Sequence, residues 1–246
     1  MRFKNIIIYG GTSQVAINLI NFYLNECEKI IVFCRSAKKF KEIMANHNNL
    51  SGEIEIIEID LSNLNKNLEI IKTFSQNISG IFWISGFTGN ADIEYQNISE
   101  AKNNLTVNFF NPIIIINELS KKMIKNHNSF IVAFTSVAGL RGRKKQLFYS
   151  AAKSGLISYL SGLRQKLYLD KIHVMTVIPG YMNTEPFKKG NWNAPKFLIT
   201  EPNKVAFVIK RSLIKKREII YINFYWFLIM NFLKIIPEKI FKKLKF

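Results

Sequence analysis

The stretch Asn5-Ile-Ile-Ile-Tyr-Gly-Gly-Thr-Ser-Gln-Val-Ala16 passes from an apolar, β-branched run through two glycines into a helical pattern that continues to about Leu24. The run predicts a buried strand, and the glycines predict a tight turn into the helix. Such a turn directs backbone N–H groups and a helix N-terminus toward a pyrophosphate. The plain alternative is a turn that binds nothing, because Gln14 and Ala16 stand in place of the usual second and third glycines.

The same alternation of strand-like runs and helical patterns continues along the chain. Further strands are predicted at residues 29–34, 54–59, 80–84, 130–134, 173–178 and 218–222, and helices near 37–44, 100–125 and 150–169. This order is typical of repeated βαβ units. We therefore predict an α/β fold with one doubly wound, Rossmann-like parallel sheet over residues 1–222 and an aromatic, basic helical tail over residues 223–246.

The composition limits the class of protein. The 246 residues are 48% hydrophobic, which suits one domain with a single core, and the net charge is +18. Such an excess attracts nucleic acid, anionic membrane or phosphorylated ligands. From Lys204 to Phe246 there are eleven Lys or Arg against two acids, so half of the excess lies in the last sixth of the chain.

Cysteine and histidine positions argue against a disulfide framework and a metal site. Cys27 and Cys34 have no CxxC spacing, and we expect buried, reduced thiols. The histidines are too far apart for a site on one helix or hairpin, so no metal is expected: His47, His127 and His173. Because an apolar strand follows Met1-Arg-Phe-Lys4 at once, we expect a cytoplasmic protein.

The second predicted strand ends in Cys34-Arg35-Ser36. An acidic residue at this place would hold the 2′-hydroxyl of an adenosine ribose, but no acid is present. Arginine can grip a phosphate in bidentate fashion, so Arg35 favours NADP (NADPH) over NAD. The alternative is that Arg35 begins a solvated basic helix.

Ser136, Tyr149 and Lys153 form the strongest functional pattern in the sequence. Tyr149 and Lys153 are four residues apart and therefore share a helix face. An ammonium beside a phenol lowers the phenol pKa from ~10 toward the range useful for general acid–base catalysis. Tyr149 could then protonate a carbonyl oxygen that Ser136 hydrogen-bonds, while hydride arrives at carbon. A Tyr-x-x-x-Lys pattern that occurs by chance is usually a pair of exposed side chains on a helix. The additional spacing from Ser136 distinguishes this pattern from a chance occurrence.

These motifs resemble those of the short-chain dehydrogenase/reductase superfamily in its single-domain form, over residues 5–222. Besides the glycine turn, the matching segments are Asp60-Leu61, Ser85-Gly86, Val107-Asn-Phe109, Phe134-Thr-Ser-Val-Ala-Gly139, Tyr149-Ser-Ala-Ala-Lys153 and Pro179-Gly-Tyr-Met-Asn-Thr184. The resemblance implies an NAD(P)-dependent oxidoreductase that reduces a ketone, with four catalytic residues: Asn108, Ser136, Tyr149 and Lys153. Asn108 would hold a water that links Lys153 to solvent.

The resemblance also implies a cofactor site. Asp60 would bind the adenine amino group, Lys153 the nicotinamide ribose, and Thr184 the carboxamide or a phosphate. Ser85-Gly86 replaces the family's usual Asn-Ala-Gly, which puts the cofactor pose in question together with the missing glycines. The complete set of expected cofactor-binding residues is Gly10, Thr12, Ser13, Gln14, Val15, Arg35, Asp60, Leu61, Gly86, Tyr149, Lys153, Pro179, Gly180, Met182 and Thr184.

The tail begins with an apolar, aromatic run over residues 223–236, followed by Pro237 and a basic end. The run falls short of the ~20 residues that a spanning helix needs. An aromatic, amphipathic stretch beside a basic segment suits the surface of an anionic membrane. An equal alternative is that the aromatic residues close the substrate pocket or a subunit interface.

A basic and aromatic segment lies where the superfamily carries its substrate lid, here residues 187–203. It indicates a substrate with a phosphate and an apolar or sugar part, although solvent-exposed lysines are the ordinary explanation: Lys188, Lys189, Trp192, Lys196 and Phe197. The glycine turn, Arg35 and the Ile-Pro-Glu turn of the tail resemble the decaprenylphosphoryl-2-ketoribose reductase subgroup. That subgroup implies a lipid-linked sugar in surface-polysaccharide synthesis.

Three functions therefore stay open. The first is an NADP-dependent reductase of a ketone on a lipid-linked or phosphorylated sugar. The second is a 3-oxoacyl-[acyl-carrier-protein] reductase, since an acidic carrier would also be attracted to a basic surface. The third is a catalytically idle scaffold that binds membrane or nucleic acid. The complete catalytic set speaks against the third, so we expect no nucleic acid. We also expect a homo-oligomer.

Overall fold

The computed structural model describes residues 2–45, 52–185, 187 and 194–244. The strands in these ranges are β1 Phe3–Tyr9, β2 Cys27–Cys34, β3 Glu53–Glu58, β4 Ile78–Trp83, β5 Phe130–Phe134, β6 His173–Pro179, β7 Tyr181–Met182, β8 Ile199–Thr200 and β9 Ile219–Ile222. The α-helices are α1 Gln14–Tyr23, α2 Ala37–Met44, α3 Leu64–Lys72, α4 Ala91–Gln96, α5 Ile98–Leu105, α6 Asn111–Ser120, α7 Leu147–Lys166, α8 Pro202–Ile214, α9 Phe224–Ile235 and α10 Glu238–Phe241.

The central sheet has seven strands in the order β3-β2-β1-β4-β5-β6-β9, and all neighbours are parallel. The chain adds β2 and β3 on one side of β1 and then crosses to add the other strands on the opposite side. Doubly wound sheets bind ligands outside the carboxyl ends of the strands at such a reversal, which here lies between β1 and β4. The predicted doubly wound α/β fold is confirmed.

β1 is apolar along its length because both faces of the sheet are covered. Ile6 and Ile8 face one side and pack with α1 and α8, whereas Ile7 and Tyr9 face the other side and pack with α6 and α7. Successive side chains of a strand point to opposite faces, so a strand buried on both faces has a continuous apolar run. This burial fixes the glycine turn after Tyr9 at the carboxyl edge of the sheet.

A third apolar cluster lies beyond the carboxyl ends of β5 and β6. Its buried members are Val137, Ile178, Leu198, Trp226 and Met230. The last two belong to α9, so one face of the aromatic tail packs against the domain.

The helix expected near residues 100–125 is divided and shorter. α5 is followed by a π-helical turn over Thr106–Phe110 and then by α6, which ends at Ser120. Residues beyond Ser120 leave the helix because the backbone of Met123 and Ile124 pairs with Ile78 at the start of β4. Three helices, α3, α4 and α8, lie outside the predicted helical ranges. α3 and α4 are short and have few buried apolar side chains.

Some residues named in the sequence predictions lie outside the described ranges: His47 of the three histidines, and Lys188, Lys189 and Trp192 of the expected lid. The lid residues Lys196 and Phe197 lie in a 3-10 turn before β8. Cys27 and Cys34 are buried free thiols, as expected. Within the described ranges, no helix combines the length and apolar character needed to span a membrane.

Candidate active site

Ser136 begins a 3-10 turn over Val137–Leu140, directly after β5. Its hydroxyl oxygen accepts a hydrogen bond from the Ala138 N–H at 3.1 Å. Gly139 allows this turn to lie against α7, because a Cβ at that position would be 2.7 Å from the carbonyl carbon of Lys153. The close approach brings the Ser136 side chain into a hydrogen bond with the Tyr149 side chain.

Lys153 lies behind Tyr149 on the same helix and is 3% exposed. Its Nζ donates to the carbonyl oxygen of Phe134 at 3.3 Å and is 5.7 Å from the centre of the Tyr149 ring. Burial disfavours the charged form and lowers the pKa of Lys153 to about 8. Ser136, Tyr149 and Lys153 therefore form one contact group at the end of β5.

The expectation that the pKa of the Tyr149 phenol falls below its usual value was wrong. Burial raises the pKa of the Tyr149 phenol, and the hydrogen bond with Ser136 opposes only part of that rise. The Lys153 ammonium is itself desolvated and donates to a backbone carbonyl. A four-residue spacing predicts that two side chains are neighbours, but it does not predict how much solvent reaches them.

Asn108 occupies the π-helical turn between α5 and α6 and is fully buried. Its Nδ2 donates to the Phe87 carbonyl at 2.8 Å, and its Oδ1 accepts from the Phe87 N–H at 3.2 Å. Gly86 lies between Asn108 and Lys153, since a Cβ on Gly86 would be 2.8 Å from Asn108 Oδ1 and 3.1 Å from Lys153 Nζ. π-helical turns of this kind occur often at functional sites.

The glycine turn joins β1 to α1 in the predicted way. Gly10 has φ +92°, and a Cβ on it would be 2.8 Å from Ser85 Oγ, so only glycine fits. Ser13 precedes α1 in an extended conformation, and its side chain makes no cap hydrogen bond. The first N–H groups of α1, which include those of Gln14 and Val15, are therefore open to an anion, which fits a pyrophosphate. Thr12 is half-buried in the same turn.

The adenosine end of the expected site lies beyond β2 and β3. Arg35 follows β2, is exposed, and forms no hydrogen bond or ion pair with any described residue. Asp60 Oδ1 accepts from the Ser62 N–H at 2.8 Å, and the Leu61 carbonyl accepts from Asn111 Nδ2 at 2.5 Å. These bonds fix the segment after β3 in place.

The expected nicotinamide end lies after β6. Pro179 ends this strand, and Gly180 lies under the Trp226 indole, whose Nε1 would be 1.9 Å from a Cβ on the glycine. Met182 is in β7, and its carbonyl accepts from the Thr184 N–H at 2.8 Å. The tail helix α9 therefore covers the strand end at which the cofactor residues were predicted.

Residues 4–194 match the family model for short chain dehydrogenases. That range contains the glycine turn, the Ser136 turn, the helix of Tyr149 and Lys153, and the strand end at Pro179. The chain belongs to the short-chain dehydrogenase family. It is therefore an oxidoreductase of that family, and the sequence-based recognition of the superfamily is confirmed.

Several known proteins resemble this chain at low identity. A 3-oxoacyl-[acyl-carrier-protein] reductase of Bos taurus is 25% identical over 191 residues, which cover 76% of this chain and 79% of the relative. A short-chain dehydrogenase of Sphingobium yanoikuyae, solved with NADPH, has a TM-score of 0.80 at 14% identity and covers 96% and 97% of the two chains. One from Burkholderia phymatum, solved with NAD, has a TM-score of 0.79 at 14% identity and covers 94% and 92%. These structures share the fold.

Sequence reasoning missed one acid of this short-chain dehydrogenase near the adenosine end. Glu58, the last residue of β3, lies beside Cys34, and its Oε2 accepts from the Ala37 N–H at 2.7 Å. It therefore caps the start of α2 next to Arg35. The signal for it was the strand register, because parallel strands β2 and β3 end at the same edge of the sheet.

Two arginines between Ser136 and Tyr149 were also missed. Arg141 donates to the Lys234 and Ile236 carbonyls and pairs with Glu238 at 2.6 Å, so it holds the end of α9. Arg143 points to other groups. Its Nη2 is 3.5 Å from the Met230 sulfur, and its guanidinium hydrogen-bonds the Tyr181 side chain. Burial lowers the pKa of Arg143, and no carboxylate among the described residues pairs with it.

Proposed function

We propose that this short-chain dehydrogenase reduces a ketone to an alcohol with NADPH. One arrangement carries the proposal. The Tyr149 side chain is hydrogen-bonded to Ser136 at the end of β5, and the Lys153 ammonium lies buried 5.7 Å from its ring. A catalytically idle scaffold would have no need to bury an ammonium whose desolvation costs folding free energy.

Each side chain has a distinct task in this reaction. The bound nicotinamide supplies the hydride. Tyr149 donates the proton to the carbonyl oxygen, and its raised pKa keeps the phenol protonated before the step. Ser136 donates a hydrogen bond to the same oxygen. Lys153 uses one donor for the Phe134 carbonyl, keeps others for the ribose, and stabilises the phenolate that proton transfer leaves. Asn108 holds the water that links Lys153 to solvent.

The preference for NADPH rests on Arg35. Its guanidinium is exposed and makes no contact with a described partner, whereas the nearby Glu58 carboxylate is engaged by the Ala37 N–H. A free arginine beside the ribose suits a 2′-phosphate. We expect NADPH to bind more tightly than NADH and Arg35→Asp to reverse the order. An unchanged preference in titrations of the variant would remove Arg35 from this role.

Arg143 supports a substrate with an anionic group. It is a desolvated cation whose neighbours, Tyr181 and Met230, do not neutralise it. Keeping such a cation in a fold is costly without a partner, and the planar guanidinium matches a phosphate. We therefore favour a ketone on a lipid-linked or phosphorylated sugar, as in surface-polysaccharide synthesis and in the decaprenylphosphoryl-2-ketoribose reductase subgroup.

A second candidate is reduction of a 3-oxoacyl chain on an acyl carrier protein. The likeness to the reductase of Bos taurus favours it, and so does the +18 charge, which would attract an acidic carrier. This function needs no anion near the ketone itself, so Arg143 discriminates between the two substrates.

We further propose that the tail brings the enzyme to the inner, cytoplasmic face of an anionic membrane. Helix α9 is apolar on two faces: Trp226 and Met230 are buried, but other large apolar side chains are exposed. A helix that is apolar all round needs a second cover. The exposed members are Phe224 at 65%, Leu228 at 50%, Phe232 at 64% and Ile235 at 75%. Four lysines beside them, Lys234, Lys239, Lys242 and Lys243, favour anionic lipid.

The expected homo-oligomer stays a prediction.

The test is NADPH oxidation by the purified full chain with matched ketones: dihydroxyacetone phosphate, dihydroxyacetone, and an acetoacetyl group on acyl carrier protein. We expect the highest kcat/KM with the phosphorylated ketone and loss of its advantage over dihydroxyacetone in Arg143→Gln. A higher kcat/KM for the carrier-bound chain would establish the second candidate. Absence of reduction of all three would contradict the proposed reaction.

A further inference from the structure

A line of buried polar groups leads away from Asn108 to a carboxylate that the proposed reaction does not use. Asn108 Nδ2 donates to Asn104 Oδ1 at 2.8 Å, and Asn104 Nδ2 donates to Glu94 Oε1 at 2.6 Å. Both asparagines are 0% exposed, and Glu94 is 4% exposed. The line joins α4, α5 and the π-helical turn across one face of the site.

The hydrogen bonds in this line have only one consistent direction. A carboxylate accepts and cannot donate, so Glu94 requires the NH₂ end of the Asn104 amide to face it. Asn104 then presents its oxygen to the Asn108 NH₂ group. The Asn108 oxygen then faces the Phe87 N–H, at 3.2 Å, and the space beside Gly86 that Lys153 Nζ also borders. The Phe87 carbonyl, which accepts from Asn108 Nδ2 at 2.8 Å, supports the same orientation.

The fold compensates the burial of Glu94 only in part, through its place in the first turn of α4 and the hydrogen bond that its Oε1 accepts from Asn104. Within the described ranges no cation pairs with it, and its second oxygen, Oε2, has no hydrogen-bond partner. Gly89, at φ +75°, brings the preceding loop so close that a Cβ there would be 1.8 Å from Glu94 Oε1. Burying an uncompensated carboxylate is costly. An orienting effect on Asn108 would account for its retention.

We propose that Glu94 and Asn104 are positioning residues that set the orientation of the Asn108 amide and hold its oxygen on the Lys153 side. This inference rests on the proposed function to the extent that Asn108 and Lys153 serve proton transfer. The hydrogen-bond direction itself can be tested without activity.

The experiment exchanges the polarity of the pair without changing its size. In Asn104→Asp, two carboxylates face each other, so the donor to Glu94 is lost and their repulsion displaces the oxygen that accepts from the Asn108 NH₂ group. In Glu94→Gln with Asn104→Asp, the glutamine NH₂ can donate to Asp, whose other oxygen still accepts from Asn108. We expect kcat to fall by about 10- to 100-fold in Asn104→Asp, because misplacing a catalytic group by roughly 1 Å costs about 10²-fold. The double variant should recover most of that loss, with KM for NADPH nearly constant throughout.

The midpoint of urea unfolding is the second readout, and it should fall in Asn104→Asp and recover in the double variant. Exposed Glu100 on α5 provides the matched control, since Glu100→Gln should neither change kcat nor rescue Asn104→Asp.

Equal loss of kcat in the single and double variants would overturn the proposal, as would an unchanged kcat in Asn104→Asp. Should Asn104→Asp fail to fold, a double variant that folds with near-normal kcat supports the inference, and one that also fails to fold contradicts it. Recovery of unfolding behaviour without ketone reduction in the wild type would contradict only the proposed function.

Discussion

Lys153 and Trp226 both lie beyond the carboxyl ends of the central strands, and both are almost fully buried, at 3% and 4% exposure. Their surroundings differ. Lys153 is a cation held by one carbonyl hydrogen bond, in a space that Gly86 and Gly139 keep open. Trp226 is an apolar ring packed on Gly180, with its N–H donated to the Leu198 carbonyl at 3.2 Å. The proposed catalytic centre therefore lowers the stability of the fold, whereas the docked face of the tail raises it.

The largest expected effect on stability is in the tail. Trp226→Ala removes a ring that fills the space over Gly180, and loss of such a buried side chain costs about 3–5 kcal/mol. The matched control is Phe232→Ala on the exposed face of α9, where a change within about 0.5 kcal/mol is expected. Urea denaturation measures both variants. If both variants lost the same stability, Trp226 and Phe232 would not lie on a buried and an exposed face of α9.

The next largest effect on the free energy of unfolding is a gain in stability, expected when Lys153 is replaced. The usual pKa of Lys153 is 10.5, and burial lowers it to about 8 in the fold. Below pH 8 the folded protein therefore holds a desolvated ammonium, and this cost is relieved as the pH rises from 8 to 10.5. Lys153→Met should raise the free energy of unfolding at pH 7 by up to about 3 kcal/mol, less the lost hydrogen bond to Phe134.

The advantage of Lys153→Met over the wild type should shrink as the pH rises above 8 and vanish only above about pH 10.5, once the unfolded chain has also lost the Lys153 proton. Unfolding curves at pH 7 and at pH 10 give this difference directly. An advantage that does not change with pH would show that Lys153 is not desolvated. Ketone reduction should be lost in the same variant.

The smallest effect per residue concerns the exposed face of the tail. Each lysine near an anionic surface contributes about 1 kcal/mol to the free energy of membrane binding. Salt screens this electrostatic contribution but does not weaken the contribution from burying apolar side chains. Lys239, Lys242 and Lys243 changed together to Gln should weaken co-sedimentation with phosphatidylserine vesicles, and high salt should weaken wild-type binding in part.

Three exposed lysines away from the tail provide the control for that measurement: Lys66, Lys72 and Lys102. Their replacement by Gln should leave vesicle binding unchanged. If the wild-type chain ignores the vesicles at low salt, the exposed face of α9 belongs to a subunit interface or to substrate binding instead.

The sequence predicted what depends on local pattern. β5 and α2 were predicted to the residue, and the Ser136, Tyr149 and Lys153 spacing identified a group that the fold brings together. Contacts between distant segments were not predictable in this way. Asn104 and Glu94 meet because α4 and α5 fold back on each other, and Arg143 meets Met230 only because the tail docks.

The errors follow the same division. Tyr149 was expected to have a lowered pKa, but desolvation is set by everything packed around the ring and not by the residue four positions away. The helix expected up to residue 125 ended early because Ile124 donates its N–H to the Ile78 carbonyl, a bond made across the fold. Glu58 was missed because its position depends on the register of β2 and β3.

The most direct test of the catalytic assignment is Tyr149→Phe, measured as kcat for ketone reduction together with the Kd for NADPH. The change removes the hydroxyl, and with it the transferable proton and the hydrogen bond to Ser136, while the ring and the Lys153 ammonium stay in place. We expect kcat to fall by about 10²–10⁴-fold, the usual share of a general acid, with the Kd nearly unchanged. A variant that keeps more than about a tenth of the wild-type kcat would contradict the role of Tyr149 as the proton donor.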